Sequence, residues 1–254
     1  MSWRLVVKKS ATKVRAIFIS DTHLGSKACH AERLLDFLHS YECEYLFLIG
    51  DIIDFWSLKK KSFFPQSHTN VIRSLLGKAK HKTKVVYVPG NHDSNIRQVA
   101  GHTFGNVEIH RNYVYQTLAG KTYFVTHGDE FDATVAISPF LKFIGTVGYD
   151  TLVFINNRIS VLRKLLGLSE WSLVTHIKKK TRKAHEYARS FEIFMADIGK
   201  RKHCDGVICG HIHIPRNVNI AQINYLNTGD WTENCSAIVE SENGHMSLID
   251  WRNS

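Results

Sequence analysis

The chain has 254 residues, 44% of them hydrophobic, and a formal charge of +10. That apolar fraction excludes an intrinsically disordered chain, and the length allows one large domain or two small ones. Five cysteines with no CxxC spacing exclude a disulfide framework and a zinc ribbon, and the basic charge suits an anionic substrate, an anionic membrane surface or nucleic acid without choosing among them.

Residues 1–13 are a short lead-in whose apolar part is too brief for a signal peptide. No uninterrupted apolar run reaches the ~20 residues of a spanning helix. A cytoplasmic location is therefore expected. Val14–Ser20 reads as the first strand, with Asp21-Thr22-His23-Leu24-Gly25 as its exit loop. Leu34, Leu35 and Leu38 at helical spacing predict a helix over 31–39. The apolar run Tyr45–Ile49 predicts a fully buried strand that ends in Gly50-Asp51-Ile52-Ile53-Asp54. Glycine before Asp51 leaves room for a close approach by backbone or metal. Phe55-Trp56, the basic Lys59-Lys60-Lys61 and Phe63-Phe64-Pro65 follow, then a helix through Val71, Ile72, Leu75 and Leu76. A third strand, Val85–Val88, ends at Gly90-Asn91-His92-Asp93. Strand–helix–strand alternation of this kind predicts a mostly parallel sheet.

Beyond His92 the segments Val107–Ile109, Tyr113–Leu118 and Thr122–Thr126 read as short strands of a meander, and His127-Gly128-Asp129 ends the last of them. Phe131–Lys200 is helical in pattern. It holds eleven basic and six acidic residues, so +5 of the chain's +10 lies there. Its stretch Ala133–Leu141 has no charge, whereas Lys178–Lys183 is strongly basic. Strands return at Asp205–Cys209, Ile223–Leu226, Cys235–Glu240 and Met246–Trp251, and the first of these ends in Gly210-His211-Ile212-His213. The expected organisation is a core of residues 1–130 and 201–254, with 131–200 as a helical cap inserted in the same domain.

Five apolar strands thus end in residue types that bind metals. The candidate ligands are Asp21, His23, Asp51, Asn91, His127, His211 and His213. Carboxylate and amide oxygens mixed with imidazole suit Mn²⁺, Fe or Zn²⁺, and the absence of thiolate argues against a structural zinc or iron–sulfur site. Two nearby cations repel, so an anionic bridge must lie between them, and Asp51 is the expected bridge. His92 adjoins Asn91 and is expected to face the substrate, binding a phosphoryl oxygen or giving a proton to a leaving group. Asp54 would orient it and keep it protonated; the alternative is that Asp54 only caps the next helix. Asp93 and Asp129 are expected to orient ligand imidazoles.

In this order the motifs Asp21-Thr22-His23, Gly50-Asp51-Ile52-Ile53-Asp54, Gly90-Asn91-His92-Asp93, His127-Gly128-Asp129 and Gly210-His211-Ile212-His213 resemble the five signatures of the calcineurin-like metallophosphoesterases. The resemblance implies an α/β fold, a four-layer α/β/β/α sandwich, and a two-metal phosphoester hydrolase. It implies Asp21, His23, Asp51 and His213 on one metal and Asp51, Asn91, His127 and His211 on the other. Mn²⁺ is the expected ion, with Fe or Zn²⁺ as alternatives. His92 matches the catalytic histidine and Asp54 its partner.

Within that family the chain is similar to the branch of bacterial UDP-2,3-diacylglucosamine diphosphatases. The resemblance is carried by the insert between His127 and His211, by Phe55-Trp56 and by the Gly229-Asp230-Trp231 turn. It departs at His92, where that branch has arginine, at Asp54, where it tends to have glutamate, and after the last motif, where Ile214-Pro215 precedes Arg216. The implied substrate is a lipid-linked pyrophosphate, met by the insert at an anionic inner-membrane surface. The alternatives are a phosphodiesterase acting on nucleotides or nucleic acid, and a scaffold without activity. The last is expected to lose ligands, and all seven are present.

Overall fold

Two parallel strands, β1 (Thr12–Ile19) and β2 (Tyr41–Ile49), form the middle of the larger sheet, paired so that Ile17 lies opposite Leu46 and Ile19 opposite Leu48. β3 (Lys84–Val88) adds in parallel to β2, and β5 (Val107–Ile109) in parallel to β3. The two-residue β4 (Thr103–Phe104) closes that edge antiparallel. On the other side β11 (Ser236–Glu240) and β12 (Met246–Asp250) join antiparallel. The computed structural model describes residues 11–134 and 173–252. The larger sheet is thus mixed, with a parallel centre and antiparallel flanks, and not mostly parallel throughout.

The segment expected to be one meander divides between two sheets. β5 belongs to the larger one. β6 (Tyr113–Gln116) and β7 (Thr122–Val125) form a hairpin at the edge of a second sheet. That sheet continues through β8 (Gly206–Cys209), β10 (Ile223–Asn227) and β9 (Arg216–Ile220).

Alternation along the central strands explains the apolar runs, because each strand is covered on both faces. Ile17, Ile19, Leu46, Leu48, Val85 and Tyr87 face helices α1 (Ala31–Ser40) and α3 (Gln66–Lys80), where they bury Leu34, Phe37, Leu38, Val71 and Leu75. Ala16, Phe18, Phe47, Ile49, Val86 and Val88 face the second sheet and meet Tyr115, Tyr123, Val125, Ile208 and Leu226. Phe18 and Phe47 stack at 4.6 Å, and Tyr115 meets both rings edge-on. A Tyr115–Glu240 hydrogen bond links the two sheets inside this layer.

The chain divides into two compact units, Met1–Asp129 with Glu192–Ser254, and Glu130–Phe191. The second unit holds the short helix α4 (Glu130–Thr134) and the first part of helix α5 (Leu173–Arg201). In it Phe131 packs on Tyr187 and Phe191, and the Tyr187 hydroxyl donates to Asp132 at 2.8 Å. In the first unit α5 lies on the outer face of the second sheet, where Gly199 leaves space for Ile223 and Val207. The uncharged stretch Ala133–Leu141 and the leucines 162–168 lie outside the described residues or their described side chains. All five cysteines are free thiols. Among the described residues no helix is long and apolar enough to cross a membrane.

Candidate metal centre

Parallel pairing sends the ends of β1, β2 and β3 to one rim of the larger sheet, and those of β7 and β8 to one rim of the second. Pairing continues past the strands. Asp21 N–H donates to Gly50 O at 3.0 Å, His23 N–H to Asp51 O at 2.9 Å, and Leu24 N–H to Ile52 O at 2.9 Å. Gly210 N–H reaches His127 O at 3.2 Å, and Trp231 N–H reaches Asp21 O at 3.0 Å. These backbone bonds join the β1 and β2 exit loops to the Trp231 turn, and the β7 exit loop to that of β8.

Within the loops the backbone is unusual. Asp21, His23, Asp51, His211 and His213 have φ of 49°, 48°, 54°, 71° and 56°. Five of the seven expected ligands therefore occupy the left-handed region, which costs a residue with a Cβ about 1 kcal/mol or more. The conformation turns the chain sharply at the strand end and aims the side chain across the rim. Close packing also demands glycine. A Cβ at Gly90 would overlap Asp51 Oδ1 and lie 2.7 Å from His127 Nε2. A Cβ at Gly210 would overlap Ser20 Oγ and Asp21 Oδ2.

The structure brings five of the seven expected ligands into two adjoining groups, and a third group joins His23 to Asp54 and His92. Asp21, His23 and His213 place donor atoms within 4.8 Å of one another, as do Asp21, Asp51 and His127. His213 Nε2 is 3.2 Å from Asp21 Oδ1 and 3.4 Å from His23 Nε2. Asp21 is common to both groups, and Asp51 Oδ2 lies 3.5 Å from His127 Nε2 in its own group and 3.9 Å from His23 Nε2 in the other. The His211 ring packs 5.2 Å from that of His127, and its backbone N–H donates to Asp21 Oδ2.

These residues fit divalent cations by a test independent of motif. Asp21 Oδ1, Asn91 Oδ1 and His127 Nε2 are buried with no hydrogen-bond partner, which is costly for groups left without a ligand. His127 Nδ1 donates to Ile49 O at 2.9 Å, so Nε2 is the ring atom left to face the centre. Ser20 Oγ donates to Asp21 Oδ2, and Asp230 Oδ2 stands 4.0 Å behind His213 Nδ1.

The electrostatics of the metal-free centre point the same way. Burial disfavours charge on His127, but the charge of Asp51, with Asp21 behind it, outweighs burial and lifts the pKa to about 10. Burial likewise opposes charge on His213, yet Asp21 raises it to about 9. Burial would raise Asp51, but His127 draws it down to about 2. Protons therefore occupy the place of cations at neutral pH, and a metal must displace them. Apparent Mn²⁺ affinity is expected to rise with pH up to about 9, by about tenfold per unit for each proton displaced. Titration of Mn²⁺ at pH 6, 7 and 8 checks this, and an affinity independent of pH would refute it.

His92 and Asp54 meet as expected. His92 Nδ1 donates to Asp54 Oδ1 at 2.9 Å, and His92 Nε2 faces the centre, 3.9 Å from Asp51 Oδ2. Burial lowers the His92 pKa, but Asp54 and Asp51 raise it more, so the net direction is upward. Asp54 also caps helix α2 (Phe55–Lys60), accepting from Ser57 N and Oγ at 2.8 and 2.7 Å. The two roles proposed for it are thus not alternatives. Its Oδ2 lies 3.5 Å from His23 Nδ1 as well, a contact the sequence did not suggest.

Asp93 is a correction. It makes no hydrogen bond to an imidazole. It is buried and accepts from Tyr87 OH at 2.6 Å, Gly90 N at 2.6 Å and Ile52 N at 2.8 Å. Its work is to brace the β2 and β3 exit loops against each other. Asp129 accepts from Arg97 Nη2 through both oxygens, at 2.7 and 2.8 Å, while Arg97 Nη2 also donates to Pro89 O at 2.9 Å. That clamp joins the third and fourth motif loops.

Carboxylates and imidazoles gathered at the strand-end loops of a mixed α/β fold define a candidate metal centre. Residues 14–215 match the calcineurin-like phosphoesterase family. The chain belongs to that family, which depends on two metal ions, and it is a hydrolase acting on phosphoester bonds. No curated protein matches it significantly. Among solved structures, an archaeal phosphodiesterase aligns at 12% identity over 92% of this chain and 98% of its own, with a TM-score of 0.42. A phosphoesterase from E. coli aligns at 16% identity over 93% and 99%, with a TM-score of 0.44. A Vps29 single mutant from Entamoeba histolytica aligns at 12% identity over 92% and 98%, with a TM-score of 0.45.

Proposed function

We propose that the centre cleaves a phosphodiester or pyrophosphate bond of a lipid-linked substrate with two divalent cations, Mn²⁺ foremost. The observation that carries the hydrolytic part is the His92–Asp54 pair beside the ligand groups, with Nδ1 held at 2.9 Å and Nε2 turned to the centre. Asp21, His23, Asp51 and His213 would hold one cation, and Asp51, Asn91, His127 and His211 the other. When bound, the cations supply charge stabilisation to phosphoryl oxygens and make water acidic enough to attack at neutral pH. His92 steadies a phosphoryl oxygen or gives the Nε2 proton to the departing oxygen, and Asp54 keeps the ring in the orientation that allows it.

The lipid-linked part is supported by the sequence of the insert. Ala133–Leu141 is uncharged, contains Pro139 and is too short to span a bilayer. Apolar side chains of this kind bury acyl methylenes at roughly 0.8 kcal/mol each. The cluster Lys178–Lys183 favours peripheral contact with an anionic membrane at about 1 kcal/mol per basic residue. Acylated UDP-glucosamine should therefore be cleaved far faster than its non-acylated analogue in Mn²⁺, and neither should react in chelator. Replacing Phe140 and Phe143 by serine should erase the preference while sparing a small aryl phosphodiester. Equal rates on the two sugars in the parent protein would leave a nucleotide phosphodiesterase; turnover in chelator would overturn the two-cation mechanism itself.

A further inference from the structure

Trp56 stands outside every ligand motif, yet it lies against the one imidazole that the proposed chemistry uses. Its indole stacks on the His92 ring, with centroids 4.1 Å apart and planes 29° apart. The edge of His23 meets the same ring at 4.7 Å and 86°. The hydrogen bond from Nδ1 to Asp54 fixes one corner of the imidazole but leaves the ring free to turn about that bond. A stacked plane removes the remaining freedom. Both contacts come from one place, because Asp54 caps the helix whose second residue is Trp56.

An exposed tryptophan is unremarkable by itself. This one has no role in a core: α2 buries none of its residues, and Trp56 keeps 48% of its surface in solvent. The His92 stack is the contact that distinguishes it.

We propose that Trp56 is a positioning residue for the hydrolysis, holding the His92 imidazole in the plane that directs Nε2 to the leaving group. The inference rests on the role given to His92 above. It acts through that ring and not through the cations.

Kinetics of Trp56→Ala, Trp56→Phe, His92→Ala and the Trp56→Ala/His92→Ala double variant test it, on aryl phosphodiesters with leaving groups of graded acidity in Mn²⁺. Trp56→Ala is expected to lower kcat about tenfold with KM nearly unchanged, as a displaced reacting group does. The loss should grow as the leaving group becomes less acidic, Trp56→Phe should restore most of it, and the double variant should be no slower than His92→Ala. Metal content should match the parent's throughout. If His92→Ala turns over normally, the His92 role falls and this inference with it. If His92→Ala is slow but Trp56→Ala costs the same factor in both backgrounds, the Trp56 inference alone is overturned. A raised KM with unchanged kcat would overturn it too, making Trp56 a surface for substrate binding.

Discussion

Asp51→Asn is expected to lower kcat by about 10³-fold and to empty at least one metal position, with the fold intact. Asp51 is buried, and its Oδ2 reaches both ligand groups, 3.5 Å from His127 Nε2 and 3.9 Å from His23 Nε2. Asparagine has the same shape. It tolerates the left-handed backbone of this position better than most residues. Its side-chain oxygen can still accept the His92 N–H that Asp51 Oδ1 accepts at 2.8 Å. What disappears is the charge that both cations would share. A ligand such as His213 serves one group, so its loss should cost less than that of Asp51. The measurements are kcat in Mn²⁺, metal per chain by mass spectrometry and far-UV circular dichroism. A variant with two metals and a kcat within about tenfold of the parent would show that Asp51 is no bridge.

His92→Ala is expected to keep both metals and to lose about 10²- to 10⁴-fold in kcat, the usual contribution of a general acid. Its backbone N–H already serves Asp51, and that bond survives the substitution. Its Nδ1 is already bonded to Asp54, and the ring belongs to neither group that contains Asp21, though it gathers with His23 and Asp54. Removing the ring should leave the two Asp21 groups as they are. The loss should be small for a very acidic leaving group, which needs no proton, and large for an alcohol. Metal content that falls together with activity would instead make His92 a ligand.

The five strand-end loops were legible in the sequence because glycine, carboxylate and imidazole after an apolar run leave few alternatives. Which strand pairs with which was not. Val107–Ile109 and Tyr113–Gln116 look alike as segments, yet one extends β3 in parallel and the other opens a second sheet. Partner choice is made by the faces that bury Tyr115 and Tyr123, a long-range condition with no local pattern. The edge strand Arg216–Ile220 escaped for a different reason: its apolar face is only Val218 and Ile220, both half-buried. Asp93 shows the limit on roles. It was expected to orient a ligand imidazole, whereas three donors from Tyr87, Gly90 and Ile52 already fill it. Trp56 carried a signal only as an aromatic after the second motif, and its contact with His92 depends on a loop from another strand.

The left-handed conformation shared by Asp21, His23, Asp51, His211 and His213 sets catalysis against durability. At about 1 kcal/mol per residue the burden is comparable with a good part of the 5–15 kcal/mol that separates a typical native state from its unfolded chain. Glycine at any of these positions would relax the backbone and remove the side chain proposed as a ligand there. A descendant released from selection for hydrolysis would therefore harden as it decayed, drifting first to glycine or asparagine at the rim. Selection for heat resistance without an activity screen would push an engineered line down the same slope.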